Sequence, residues 1–202
     1  MDAFEQIVAM LLQREGYWTR TSYKVNLTPT DKRAMGKSTT PRWEIDVLAY
    51  RPSANRVLVV ECKSFLNSKG VGHKGFTGES ERGRKIYKVF TQPKIRQVVL
   101  SRLGRQLYEQ KLVRANPKLQ LCLAAGKIQN GNESDIQAHC DANGWRLLGS
   151  AWFSESLSGL GDCDYENDVA IVAAKLAKTM VERTDHRDGS ALSRGRRARP
   201  IA

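Results

Sequence analysis

Two strand-like segments separated by a short turn-forming linker constrain the fold of this chain most strongly. The segments are WEIDVLAY (43–50) and RVLVVECK (56–63), and the linker is RPSAN (51–55). Both segments are rich in β-branched, aromatic and other apolar residues, which favour extended backbone. A proline-containing linker of this length typically joins antiparallel neighbours. The sequence therefore predicts a β-hairpin with a longer loop.

The register of this hairpin places charged residues opposite one another. If the hairpin closes symmetrically about its loop, the numbers of paired residues sum to 107. Asp46 then faces Glu61, and Glu44 faces Lys63. Like charges that are directly opposed destabilise a sheet, so two facing carboxylates need a reason. The simplest explanation is that the two carboxylates bind a hard divalent cation. Mg²⁺ takes one or two carboxylates and fills its remaining coordination positions with water and phosphate oxygens.

Two further side chains suit such a site. Lys63 lies on the same strand face as Glu61, where its ammonium group can orient the attacking hydroxide or offset phosphate charge, and its neutral amine can accept a proton from the attacking water. The apolar spacing over 3–15 predicts a helix that ends at Gly16, and Glu5 borders its apolar stripe. Glu5 is either a further acid of the site or an exposed first-turn acid favoured by the helix dipole.

The rest of the chain alternates between strand-like and helix-like patterns. Strands are predicted at 17–27, 119–126 and 145–149. Helices are predicted from about residue 93, at 133–143 and at 165–182. The segments 28–41 and 64–90 are predicted to be irregular. Strands that alternate with helices predict an α/β fold.

The site residues carry a resemblance to a known family. Asp46, fourteen intervening residues and then Glu61-Cys62-Lys63, preceded by a helix with Glu5, resemble the PD-(D/E)xK nuclease superfamily. Its members include type II restriction enzymes, Mrr-type nucleases and archaeal Holliday junction resolvases. The resemblance implies Asp46, Glu61 and the backbone carbonyl of Cys62 as metal ligands. It also implies Lys63 as the catalytic lysine and Glu5 as a helix acid of the catalytic set.

The same resemblance implies a fold. It is a restriction-endonuclease-like core of α-β-β-β-α-β order over 3–126, with a central mixed sheet of about four to five strands flanked by helices. Ile45 stands where the motif has proline, a departure that the superfamily commonly tolerates. We expect one domain over 1–182, with C-terminal additions over 127–182 and a basic, disordered tail over 183–202.

The charge of the chain indicates a polyanionic partner. Its 33 basic and 21 acidic residues give a net charge of +12. Nucleic acid is the default partner for such an excess, and the alternative is a solvated basic surface. We expect DNA contacts from Lys69, Lys74, Arg82, Arg84, Lys85, Lys88, Arg194, Arg196, Arg197 and Arg199. RNA stays open as a substrate.

Other classes of protein are disfavoured. The four cysteines are scattered and match neither a zinc site nor a disulfide framework, which favours a reducing, cytoplasmic setting. The chain has neither an apolar run of membrane length nor a secretory signal. The residues GKST (36–39) mimic the end of a phosphate-binding loop but lack its first glycine and its helix, so no nucleotide cofactor is expected.

These observations predict a DNA endonuclease that uses Mg²⁺, with Mn²⁺ as a substitute metal. The resemblance implies a setting in restriction and defence or in DNA repair and recombination. A homodimer is left open, since two nicks need two sites. Two alternatives remain. The chain could be a nucleic-acid-binding protein that has the nuclease fold and cleaves little or nothing, or a basic module that contacts an acidic protein.

Overall fold

The chain forms two compact units. A computed structural model describes residues 2–36 and 43–192, with side chains as far as Met180. The first unit comprises Met1–Trp152 and the second Phe153–Ala202. The single domain predicted over 1–182 stays a prediction.

Five strands form one open, mixed sheet in the described part of the chain. They are β1 (Trp18–Val25), β2 (Trp43–Arg51), β3 (Arg56–Lys63), β4 (Lys118–Ala125) and β5 (Arg146–Leu148). The strands lie in sequence order across the sheet; β1, β2 and β3 are antiparallel neighbours, whereas β3, β4 and β5 are parallel. The predicted α/β class, with a mixed sheet of four to five strands flanked by helices, is confirmed.

Helices precede, connect and follow the strands. In chain order they are α1 (Ala3–Arg14), α2 (Pro29–Ala34), α3 (His73–Phe76), α4 (Glu81–Ile86), α5 (Lys88–Thr91), α6 (Pro93–Glu109), α7 (Glu133–Ala142), α8 (Ser150–Asp162) and α9 (Val169–Leu192). The sequence patterns do not predict α2 or α8. Among the described residues, no helix combines the length and apolarity that crossing a membrane requires.

The central strands are buried on both faces. On one face, Leu48 and Val59 belong to the main apolar cluster together with Leu103 of α6. The alternate residues Val47 and Leu58 are also fully buried, and α1 packs against β1 and β2. Strands that are covered on both faces have nearly continuous apolar sequences, and the sequences of these strands are of this kind.

The hairpin has the predicted register over most of its length. Paired residues run from Arg51 opposite Arg56 to Val47 opposite Val60, and their numbers sum to 107. A short 3₁₀ turn, Pro52–Ala54, connects the two strands. A slip by one residue would move every side chain of a strand to the opposite face of the sheet and away from the neighbours that it packs against.

Beyond Val47 the two strands separate. The expected opposition of Asp46 to Glu61 and of Glu44 to Lys63 is not observed, because the pairing of β2 with β3 ends before these residues. There β2 continues beside β1, and β3 continues beside β4. The carboxylate of Asp46 accepts a hydrogen bond from the Cys62 N–H at 2.7 Å. The Asp46 side chain thus forms a hydrogen bond with the backbone of β3 at the point where β2 and β3 are no longer paired.

The segment 64–90 is folded, so the prediction of an irregular segment is wrong. It contains α3, α4 and the start of α5. Val71 and Phe76 are fully buried, and the ring of Phe76 lies 4.9 Å from that of Phe90. The N–H of Val71 donates to the carbonyl of Lys127 at 2.9 Å. These apolar anchors have no regular spacing, so a search for periodicity does not reveal them.

Gly126 lets the start of α1 approach the carboxyl ends of β3 and β4. Its N–H donates to the carbonyl of Lys63 at 3.0 Å. A Cβ at this position would lie 2.7 Å from the Ser64 carbonyl oxygen and 2.9 Å from the Phe4 ring. Only glycine permits so close an approach. Glu5, the next residue after Phe4, is thereby carried to the same end of the sheet.

The second unit consists of most of α8 and all of α9. Leu160 and Ile171 are each 1% exposed. The backbone is helical as far as Leu192, so α9 extends into the segment 183–202 that was predicted as a disordered tail. No proline occurs within α9 to end the helix earlier. Residues 193–202 lie outside the described part of the chain.

Candidate active site

The four residues predicted to be catalytic converge where β2 and β3 separate. Asp46 lies on β2, Glu61 and Lys63 on β3, and Glu5 in the first turn of α1. Each of the four interacts electrostatically with at least two of the others. Sequence reasoning therefore selected side chains that the fold brings together.

The position of Asp46 is set by the backbone of β3. Its Oδ2 accepts the Cys62 N–H at 2.7 Å, which holds the carboxylate between the separating strands. Burial raises the pKa of the Cys62 thiol far above its usual range, so this side chain stays uncharged. The backbone carbonyl of Cys62 is thus the group that suits a hard metal ion.

Glu61 and Lys63 form a largely buried ion pair. The Lys63 Nζ donates to Glu61 Oε1 at 2.6 Å, and the two side chains are 19% and 21% exposed. Burial alone would lower the pKa of Lys63, but the charge and hydrogen bond of Glu61 raise it overall. Lys63 therefore carries its proton in this arrangement.

The three carboxylates resist ionisation together. Burial is the main reason that the pKa values of Glu5, Asp46 and Glu61 are all raised. Asp46 further raises the pKa of Glu5, and both acids further raise that of Glu61, which Lys63 opposes. When all are ionised, three carboxylates and one ammonium leave two negative charges, which one divalent cation would neutralise.

The donor set fits Mg²⁺. This ion prefers oxygen ligands and needs only one or two carboxylates, because it retains several waters. Asp46, Glu61 and the Cys62 carbonyl offer ligands of this kind. Within residues 2–36 and 43–192, no group of three or more His, Cys, Asp or Glu side chains is already arranged around a common metal position.

A cavity of about 710 Å³ is lined mainly by the segment that follows β3, and none of the four catalytic candidates lines it. Phe65, which lines it, follows Lys63 by two residues. Tyr87 also lines it, and burial together with the Glu61 carboxylate raises the pKa of Tyr87 to about 12. Sequence analysis missed Tyr87, because no local pattern connects a tyrosine after α4 with an acid on β3.

The structure separates the predicted DNA-binding residues of segment 64–90 into two groups. Lys69, Lys74 and Arg82 line the cavity with exposed side chains. The cavity lining formed by the described residues contains no aspartate or glutamate. These three cations therefore share one cavity with Tyr87, which is near enough to Glu61 for that carboxylate to raise its pKa.

The other three basic residues are placed differently. Arg84 donates to the carbonyl of Gly78 at 2.6 Å, and Lys85 pairs with Glu81 at 2.6 Å. Lys88 is half-buried at the start of α5 and does not line the cavity. The predicted DNA-binding residues Arg194, Arg196, Arg197 and Arg199 lie outside the described part of the chain, as does most of the GKST stretch.

Comparison with protein-family models, with curated proteins and with solved structures finds no significant match to this chain.

Proposed function

We propose that this chain is a Mg²⁺-dependent endonuclease that hydrolyses DNA phosphodiester bonds, with Mn²⁺ as a substitute metal. The observation that carries the proposal is the convergence of Asp46, Glu61 and Lys63 with Glu5 of α1 at the point where β2 and β3 separate. Their excess of negative charge suits a divalent cation, and the cations of the adjoining cavity suit a polyanionic substrate.

The proposal extends to the fold. The order α1, β1, β2, β3, α6, β4 follows the α-β-β-β-α-β order of the restriction-endonuclease-like core of the PD-(D/E)xK nuclease superfamily. In this interpretation, α2 is an insertion between β1 and β2, and α3 to α5 are an insertion between β3 and α6. The spacing of Asp46, Glu61 and Lys63 on two strands of one hairpin supports the same assignment.

Each residue of the cluster has a role in this proposal. Asp46, Glu61 and the Cys62 carbonyl would hold the metal, and Glu5 adds a carboxylate beside them. A bound Mg²⁺ supplies a water of lowered pKa and stabilises charge on the phosphoryl oxygens. Lys63 keeps its proton because Glu61 raises its pKa. Its ammonium group is placed to orient the attacking water and to offset phosphate charge.

Cleavage of supercoiled plasmid tests this function directly. Wild-type protein should convert plasmid to nicked or linear DNA with Mg²⁺ or Mn²⁺ and leave it intact with EDTA. Asp46→Asn, purified in parallel, should leave the plasmid intact. Asp164→Asn is the matched control, because Asp164 is exposed and lies in the second unit, and it should cleave like the wild type.

The alternatives give different results in the same assay. Protein that binds DNA without cleaving it under any metal condition would be a binding protein, and the nuclease proposal would be wrong. Protein that neither cleaves nor binds nucleic acid would favour a basic module for an acidic protein partner. Cleavage by Asp46→Asn at the wild-type rate would refute the assignment of the site.

A further inference from the structure

The cavity that Phe65 and Tyr87 line has the dimensions of a ligand site. Its volume is about 710 Å³. Sites that enclose small molecules span about 300–1,000 Å³, whereas packing defects in protein interiors are rarely larger than a water molecule. A nucleotide that is paired and stacked within a duplex cannot enter a concave site of this kind, but an unpaired one can.

Packing shapes the wall of this cavity. A Cβ at Gly83 would lie 2.1 Å from the Gly75 carbonyl oxygen, so α3 and α4 are in direct backbone contact. A Cβ at Gly72 would lie 2.8 Å from Gln129 Oε1, and Gln129 Nε2 donates to the Gly70 carbonyl at 3.3 Å. The wall is therefore part of the folded unit.

The lining combines the two kinds of surface that a nucleotide needs. Phe65 and Ile86 are half-buried and present apolar surface, while Lys69, Lys74 and Arg82 contribute cations. Proteins bind unpaired nucleotides by stacking the base on apolar or aromatic side chains and by neutralising the phosphate with basic ones.

The cavity also lies at the right place along a substrate strand. Phe65 follows Lys63 by two residues, so their Cα atoms are at most about 7 Å apart. A DNA strand advances about 3.4 Å per nucleotide along a duplex axis. A strand with its reacting phosphate at Lys63 therefore brings a nucleotide that is one or two positions away to the cavity.

We propose, resting on the nuclease function above, that the cavity is a subsite for one unpaired nucleotide of the substrate DNA. The base lies against Phe65 and Ile86, and its phosphate lies near Lys74 and Arg82. The preferred substrate is then DNA with an extrahelical or single-stranded nucleotide beside the phosphate that is cleaved.

Binding in EDTA tests the subsite without depending on cleavage. Fluorescence anisotropy would compare three labelled duplexes of one sequence: fully paired, with a single unpaired nucleotide, and with an abasic residue in place of that nucleotide. Wild-type protein should bind the duplex with the unpaired nucleotide about tenfold more tightly than the paired one, as stacking of one base allows. The abasic duplex should lose this gain, because it has the same flexibility but no base.

Two variants remove the preference from the protein side. At Gly75 an added Cβ would meet only Tyr87 Cε2, at 3.8 Å, so Gly75→Leu can fill the cavity without a backbone clash. It should reduce the affinity ratio to about one and leave the affinity for paired duplex unchanged. Gly159→Leu is the matched control, since Gly159 lies in α8 with nothing within 4 Å of its Cβ position.

Lys74→Ala tests the same subsite through charge if Gly75→Leu fails to fold. The Lys74 side chain is exposed, so we expect it to be removable without loss of the fold. Its loss should lower the affinity ratio several-fold. Lys118→Ala is its control, because Lys118 is exposed at the opposite end of β3 and β4 from Lys63. It should leave the ratio unchanged.

Failure of the subsite and failure of the nuclease function give different results. Equal affinity for paired and unpaired duplexes, or a gain that persists with the abasic duplex, would overturn the subsite even if plasmid is cleaved. A preference that Gly75→Leu and Lys74→Ala both leave intact would also overturn it. A preference that these variants abolish, in a protein that cleaves nothing, would support the subsite and refute the nuclease.

Discussion

The hydrogen bond from Cys62 to Asp46 distinguishes two substitutions at the same carboxylate. Asp46→Asn removes the charge but keeps an oxygen that can accept the Cys62 N–H. Asp46→Ala removes both and leaves a half-buried backbone donor without its 2.7 Å partner. We therefore predict that both variants lose cleavage and that only the alanine variant loses stability.

The size of each effect follows from the surroundings of Asp46. A hydrogen bond to a charged group contributes about 1.5–3 kcal/mol, and an orphaned buried donor costs a similar amount. Against this, burial raises the pKa of Asp46, so its ionised form destabilises the metal-free protein at neutral pH. Asp46→Ala should lower the free energy of unfolding by less than the full worth of the hydrogen bond, about 1.5–3 kcal/mol, because loss of the buried charge acts in the opposite direction. Asp46→Asn should be as stable as the wild type or more stable.

The loss of cleavage should be at least about a hundredfold in both variants, since even outer-shell changes at metal sites cost 10–100-fold. Urea unfolding in EDTA measures stability, and plasmid cleavage in Mg²⁺ measures activity. Asp164→Asn and Asp164→Ala control for loss of an exposed carboxylate. Equal stability of Asp46→Ala and Asp46→Asn would refute the structural role of the hydrogen bond.

Three further predictions concern Glu61, Lys63 and Glu15. The raised pKa of Glu61 means that the folded, metal-free protein binds more protons than the unfolded chain between the ordinary and the raised pKa, so its stability falls as pH rises through that window. Loss of the ion pair with Lys63 destabilises Glu61→Gln, but its stability relative to wild type in urea unfolding should increase as the pH rises above the ordinary glutamate pKa, and a pH-independent difference would contradict the shift. Lys63→Met should reduce cleavage by about 10²–10³, as loss of one charge-stabilising donor does, whereas wild-type activity in this variant would remove Lys63 from the site. Glu15 accepts two bonds from Arg146, at 3.0 and 2.9 Å, and one from the Trp152 indole at 2.6 Å, so Glu15→Ala should destabilise by about 2–4 kcal/mol. Glu109 is exposed, so the free energy of unfolding of the control variant Glu109→Ala should stay within about 0.5 kcal/mol of the wild type in the same urea titration. Equal stability of Glu15→Ala and Glu109→Ala would refute the stabilising role of the Glu15 hydrogen bonds.

The sequence by itself determined the hairpin and the side chains that approach one another at its end. The apolar residues of the two strands, whose side chains alternate between the faces of the sheet, and a short turn set the pairing from Arg51 and Arg56 to Val47 and Val60. These are local properties, because a slip by one residue would move every side chain of a strand to the opposite face of the sheet. The same alternation places Glu61 and Lys63 on one face, where they form an ion pair.

Only the tertiary structure decided how the two strands end. The hairpin ladder stops at Val47 because β2 stays with β1 while β3 stays with β4, and the Asp46 carboxylate bonds the backbone of Cys62 instead. No pattern within the hairpin carries this information, since it depends on partners that lie elsewhere in the chain. The approach of Glu5 likewise depends on Gly126, a residue remote in sequence.

The structure of the segment 64–90 likewise could not be predicted from local sequence patterns. Its helices are short, and its anchors Val71 and Phe76 are buried by residues distant in the chain, among them Trp145, whose ring lies 6.2 Å from that of Phe76. The composition of this segment does not distinguish the basic residues that line the cavity from those that do not. In the folded chain Lys74 lines a cavity, whereas Lys85 forms an ion pair with Glu81. The fold, and not the composition, decides which side chains share a surface.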